Sequence, residues 1–515
     1  MNAPFAAPLL RVLRHDKAQL EIKLEYPSLG ATEPEVSYAV DLWFFLPPSA
    51  GVTQENYGPE RFYEDLRAHT RLRTPRAPLR ELCRPDGQGS PLGVLRHLLA
   101  ELGSGPPAPE PARELRREAR LLCCIYKESA REPFLALAAG AAAGPVVERF
   151  VEDNQRLLEH WRSLARAVLA RPVDARTREC FQFVDEGLSL MVESTALQLL
   201  DTLGPGPRPA AAEGLAALAR AEAAHRAEAG HRSAAGPGAA GRALEAYLDQ
   251  ASLLKKYISA VLFLDARPRG DTRLLEQLAL GLAAAVAMVF TIGLQLIALL
   301  FWDIELTRGV PPGMIVLFSA ITVVGYVIKD RLKALLGPSL ARRIPRLLYD
   351  RRTDFERMNL PDRVSEVRET TRFVGRWELP PAVQAQRVAT ARSPLALETD
   401  GAVLHHHRTL TVFPKAAART FPRIEGVVEI LRLHTWRWVR TFGSPNKDLV
   451  LLDGDDAAVH HKAPNLYFVD LVIGWRRIGP SPAAQTEVHR IVLDRRGIVE
   501  VRPVSAWGDG PAADV

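Results

Sequence analysis

Histidine is concentrated toward one end of this chain. Of its 13 histidines, seven lie beyond residue 404: His405, His406, His407, His434, His460, His461 and His489. Among them runs LLDGDDAAVHH, which adds Asp453, Asp455 and Asp456. Imidazole and carboxylate together suit zinc or iron. The segment VLHHHRTLTVF alternates as a strand does, and residues two apart on a strand share a face. His405 and His407 would then chelate one ion from one face. The candidate ligands are His405, His407, His434, His460, His461 and Asp456. A competing reading makes them exposed strand and turn residues, with DGDD a turn. No HExxH or comparable spacing selects a geometry. The expectation is therefore no cofactor, with a divalent metal as the alternative.

Other chemistry-bearing patterns are missing. The chain has no GxxxxGK[ST] phosphate loop, no GxGxxG after a strand and no GxSxG elbow. GAAAGPVVER lacks the lysine a phosphate cradle needs. No motif identifies a reaction.

The elements that would carry the histidines are strands. VLHHHRTLTVF, GVVEILRLHTWRWVRTF, DLVLLD, NLYFVDLVIGWRRI, TEVHRIVLD and GIVEVRPV are rich in β-branched and aromatic residues. LDRRGIVEV reads as a hairpin with Gly497 at the turn. This predicts a mostly-β domain, sandwich or barrel-like, over 391–510. At the other end, AQLEIKLEY and VSYAVDLWFFLP are two further strands, and NYGPERFYEDLRAHTRLRTP reads as a helix bounded by prolines. Together they form a small β/α module over 1–75. Helical periodicity dominates 76–270, giving an α-helical bundle. PVVERFVEDNQRLLEHWRSLARAVLAR places Val147, Phe150, Leu157, Leu158, Trp161, Leu164 and Val168 on one face. ALEAYLDQASLLKKYISAVLFLDA does the same for Leu244, Leu248, Leu254 and Ile258. An Ala/Gly/Pro-rich insertion at 204–242 reads as a flexible connection with an alanine-rich helical middle.

Residues 277–302 contain no Asp, Glu, Lys or Arg, and neither do 309–328. About 20 apolar residues cross a bilayer as a helix. The expectation is a two-helix transmembrane hairpin, with spans at 274–302 and 310–328. Basic residues flank the pair on both outer sides, and loops rich in Lys and Arg stay in the cytoplasm. Both termini are then cytoplasmic, with 303–309 outside. A basic juxtamembrane connector occupies 329–390. Its Lys329, Arg331, Lys333, Arg342, Arg343 and Arg346 are placed to meet anionic headgroups.

Composition sets the bounds. The 515 residues are 47% hydrophobic and 24% charged, with a net charge of +6. That length needs several folding units. The mild basicity and the absence of a recognisable module argue against nucleic acid as a partner. Four cysteines without a zinc-like spacing fit a reducing compartment. The first residues lack the basic-then-apolar pattern of a cleaved leader. The reading is an α+β membrane protein of bacterial type, multi-pass in the inner membrane, with two cytoplasmic lobes. Its expected role is non-enzymatic: a membrane-anchored interaction, scaffold or sensory protein, with protein partners or a homo-oligomer. The alternatives are a membrane-tethered metal-dependent hydrolase using the histidine-rich domain, and a subunit of an oligomeric channel.

Overall fold

QLEIKLEY forms a strand, but its partners come from both ends of the chain. A computed structural model describes residues 9–26, 33–84, 90–101, 109–204, 211–233, 240–269, 349–356, 363–398, 401–420, 426–452, 454, 457–479 and 484–504, with scattered residues between 281 and 331. The early strands are β1 (Leu9–Arg14), β2 (Gln19–Tyr26), β3 (Val36–Phe45) and β4 (Leu66–Leu72). In mid-chain lie β5 (Asp265–Arg269), β6 (Arg351–Glu356) and β7 (Arg363–Val374). Then come β8 (Val403–Val412), β9 (Val427–His434), β10 (Asn446–Leu452) and β11 (Ala458–Pro464). The last are β12 (Tyr467–Ile478), β13 (Gln485–Asp494) and β14 (Gly497–Pro503).

These strands make a four-stranded sheet, β1-β2-β9-β4, an eight-stranded sheet, β14-β13-β12-β3-β8-β7-β6-β5, and a separate β10-β11 ribbon. The expected split into an N-terminal β module and a C-terminal β domain is thereby corrected. β3 lies between β8 and β12, and β9 lies between β2 and β4. The physical reason is burial. VSYAVDLWFF is apolar on both faces and needs cover on both, which a central strand of a large sheet receives. Leu20, Ile22 and Leu24 of β2, Leu42 and Phe44 of β3, and Leu431 and Leu433 of β9 share one core.

Several local expectations change too. The stretch read as one helix before Pro75 is a short helix, Pro59–Asp65, followed directly by β4. Leu66, Thr70 and Leu72 alternate inward there, so the β period wins over the helical one. The region read as a basic juxtamembrane connector, 329–390, supplies β6 and β7. Pro268 lies in β5, the edge strand of the large sheet, where proline is tolerated.

The helical bundle forms largely as its periodicity predicts. Val147, Phe150, Leu157, Leu158, Trp161, Leu164 and Val168 are buried on the helix Ala143–Leu169. The helix Arg242–Ser259 docks by its C-terminal half only. Leu254 and Ile258 are buried while Leu244 and Leu248 are exposed. Within the 204–242 insertion, the helix Ala211–Glu228 is packed, not a free tether. Its Leu215 and Leu218 are buried, and Glu222 accepts a 2.7 Å bond from Arg162. The four cysteines are free and buried.

Among the described residues no helix is long and apolar enough to cross a membrane. The transmembrane hairpin and the multi-pass inner-membrane localisation are corrected accordingly. Spanning needs roughly 20 residues of continuous apolar helix. An apolar composition fixes greasiness, not the length of helix that carries it. Most of 270–348 lies outside the described residues, including Lys329, Lys333, Arg342, Arg343 and Arg346. Arg331 is helical and exposed. β5 and β6 pair with Asp265 opposite Glu356, so the two flanks of this excursion lie side by side.

The β13–β14 hairpin forms with Gly497 as the first residue of β14. Its φ is +128°, and an added Cβ would overlap the Lys17 carbonyl oxygen. Ile498 donates a 2.6 Å backbone bond to that same oxygen, so the approach ties the large sheet to the β1–β2 turn. Gly497→Ala is expected to destabilise the protein by about 2 kcal/mol or more, through backbone strain and displaced contact. A urea midpoint unchanged from wild type would contradict this.

Candidate metal centre

Asp41 is the one charged residue of β3. The β3–β8 register sets His407 opposite Asp41 and His405 opposite Trp43. On the other side of β3, the register with β12 sets Gly474 opposite Asp41. Alternation along β8 sends Leu404, His406, Arg408 and Leu410 into the core, where all four are buried. His405, His407 and Thr409 face the opposite way. Three residues from two neighbouring strands therefore meet on the outer face of the large sheet. Gly474 makes room for the Trp43 ring, which a Cβ there would meet at 3.1 Å.

The geometry is that of a clustered donor set. Nε2 of His405 donates to Asp41 Oδ1 at 2.8 Å, and Nδ1 of His407 donates to the same oxygen at 2.7 Å. One ligand atom from each of the three lies within 4.8 Å of the others. Stripped of their protons, the same two nitrogens present lone pairs to a cation beside Oδ1. Trp43 stacks on His405 with ring centroids 5.0 Å apart and planes 3° from parallel, which fixes the imidazole. Thr409 Oγ1 lies 3.2 Å from Nε2 of His407 and orients that ring from behind. The side chains are 19% exposed for Asp41, 13% for His405 and 35% for His407. The set is sheltered, yet reachable from one side.

Burial by itself would raise the Asp41 carboxyl. The hydrogen bonds and charge of His405 and His407 overcome it and hold the group well below the usual carboxylate range. Asp41 is thus an anion in the folded protein, as a metal ligand must be.

The reachable side opens on a cleft of about 1100 Å³. Thr370, Arg372 and Trp377 line it together with His405 and His407. β6 begins opposite Glu369, so among the described residues no strand pairs β7 on that side from Thr370 onward, and the cleft wraps this edge. Asp350 caps the edge by accepting from the Thr371 N–H at 2.6 Å and the Tyr63 hydroxyl at 3.1 Å.

The remaining sequence candidates lie elsewhere. His434 ends β9 in the other sheet, opposite Gln19. Leu431 and Leu433 turn into the core there, so alternation directs His434 outward, away from the large sheet. His460 and His461 belong to the β10–β11 ribbon, opposite Val450 and Leu449. Asp456 lies outside the described residues. The ligand missing from the sequence reading is Asp41. Its signal was a lone acid in an otherwise apolar strand.

The inward side of β8 carries a different cluster. Arg408 bonds Glu429 through Nε at 3.1 Å and Nη2 at 2.7 Å, and reaches Glu369 through Nη1. The Tyr26 hydroxyl donates to Glu429 at 2.8 Å. All four are buried between the two sheets. His406 packs beside them with Nδ1 2.8 Å from Thr371 Oγ1. Burial lowers its pKa, although Glu369 pulls the other way.

No family model, no curated protein and no solved structure matches this chain.

Proposed function

We propose that this protein binds a divalent transition-metal ion through Asp41, His405 and His407, and that the site serves hydrolysis of a small substrate in the adjoining cleft. The observation that carries the reading is one carboxylate and two imidazoles converging within 4.8 Å beside that cleft. Two histidines and one carboxylate suit zinc or ferrous iron, and three protein ligands leave coordination positions for substrate. A bound ion supplies Lewis acidity to an oxygen brought to it. The chain's own contribution is orientation: Trp43 and Thr409 hold the two rings, and the cleft walls hold the substrate. In the overall reaction one water is consumed. Its oxygen bonds to the electrophilic centre, the bond to the leaving group breaks, and a proton passes to that group. The test is calorimetric titration of the metal-stripped full chain with zinc, followed by turnover of activated esters with and without EDTA. Failure to bind one equivalent of zinc overturns the metal reading. Turnover indifferent to EDTA overturns the hydrolytic one.

An interaction role is favoured by a separate observation. The β10–β11 ribbon stands apart from both sheets and exposes Val450, Leu451 and Leu452, the last at 73%. A lone two-stranded hairpin is marginal in water. Sedimentation of the wild type beside Leu452→Asp tests whether this arm mediates association. Identical behaviour as a monomer at all concentrations counts against self-association.

A further inference from the structure

Resting on the metal reading, we propose that the cleft binds an organic phosphate bearing a planar ring, its phosphate spanning the ion at Asp41, His405 and His407 and the guanidinium of Arg372, and its ring lying on Trp377. The registers place these groups in rows. Arg372 of β7 is opposite His405 of β8, and Thr370 is opposite His407. Cross-strand partners stand about 5 Å apart at Cβ and project to the same face. A fork of guanidinium donors and a hydroxyl therefore lie one strand from the ligand set. Arg372 is exposed and has no ion-pair partner among the described residues. A carboxylate has two oxygens, enough for the ion and the guanidinium. A phosphate has a further oxygen for the Thr370 hydroxyl and matches the arginine fork in geometry.

The ring is assigned from Trp377. It is 85% exposed, the highest value among the exposed large apolar residues described, and it lines this cleft. Its indole lies against Gly375, where a Cβ would come within 2.7 Å. The backbone thus supports one part of the indole while the rest stays open, a flat platform for a planar group. Two acids also line the cleft, Asp350 and Glu378. Asp350 is occupied by Tyr63 and Thr371, and Glu378 is exposed. A volume of about 1100 Å³ accommodates a ligand of nucleotide size.

The test uses full-length protein, zinc, and three probes: adenosine monophosphate, inorganic phosphate and adenosine. Zinc affinity is measured first by calorimetry, and probe binding follows by tryptophan fluorescence and calorimetry. The expected result is that adenosine monophosphate binds the zinc-loaded protein and binds at least about tenfold more weakly in EDTA. Arg372→Ala is expected to weaken it by about tenfold or more while leaving zinc affinity unchanged. Trp377→Ala is expected to weaken adenosine monophosphate but not inorganic phosphate. Zinc binding without nucleotide binding overturns this inference and leaves the metal reading standing. So does nucleotide binding that is indifferent to Arg372→Ala. Lack of zinc binding overturns the metal reading and, with it, the spanning phosphate. Nucleotide affinity in EDTA that Arg372→Ala removes would then support only the arginine and ring contacts.

Discussion

Arg408→Met is expected to destabilise the protein by about 3–5 kcal/mol, because it leaves Glu369 and Glu429 buried between the sheets without their cation. Part of that loss is a pH effect with a defined sign. Burial would raise the Glu369 carboxyl, but the Arg408 guanidinium, with His406, overrides it and holds the group down at about 2, against an ordinary value of 4.5. A folded-state value below the unfolded one stabilises the fold fully above about 4.5. That contribution is lost as pH falls toward 2. In the variant Glu369 keeps His406 but loses the guanidinium, so burial raises its carboxyl and its charge is penalised at neutral pH. The deficit against wild type is therefore expected to shrink between pH 7 and pH 4, as Glu369 takes up a proton. Replacing the three together, Arg408→Met with Glu369→Leu and Glu429→Leu, should recover much of the loss, since no charge is then stranded. Urea unfolding at several pH values measures all of this. A deficit below about 1 kcal/mol, or one that does not vary with pH, would mean the cluster is not electrostatically closed.

The second large effect concerns the metal. Asp41→Asn keeps the shape of the side chain and an acceptor for both imidazoles but removes the anion. Losing an outer-shell partner of a metal ligand commonly weakens binding about 10- to 100-fold. Losing the only anionic ligand is expected to weaken zinc by more than about 100-fold, and His407→Ala should do likewise. The double variant His460→Ala with His461→Ala supplies the contrast. Those residues sit on the β10–β11 ribbon, so zinc affinity should be unchanged. If Asp41→Asn binds zinc as wild type does while the ribbon variant fails, the site lies on the ribbon and the proposal is wrong. Circular dichroism of each variant separates lost binding from lost folding.

Part of this site was legible in the residues. His405 and His407 are two apart in an alternating segment, and the pleat of a strand puts such residues on one face whatever the strand pairs with. The same local rule forecast the strands of the C-terminal third, and the 3.6-residue period forecast the helix Ala143–Leu169 with its buried face. Asp41 was visible as an acid among apolar residues, but nothing nearby in the chain says what it meets. Its partner His405 lies 364 positions away. Expectations drawn from local apolarity fared worse. Two charge-free stretches suggested membrane spans, and the described residues hold no helix long and apolar enough to cross one.

The division follows from the range of the forces. Periodicity, turn residues and the sidedness of each strand are properties of a few consecutive residues, so amino-acid order alone established that the histidine segment is a strand with His405 and His407 on one side. Which strand lies beside it depends on how apolar faces from the whole chain share one core. β3 needs cover on both faces and obtains it between β8 and β12. That choice of neighbour and register brings Asp41 to the two imidazoles, sets Gly474 where a side chain would crowd Trp43, and places Arg372 in the next row. A shift of one residue would turn His405 and His407 into the core and Arg408 out of it. The register is held by the buried Arg408 cluster on one side of β8 and the sheltered Asp41 cluster on the other, and only the assembled sheets contain both.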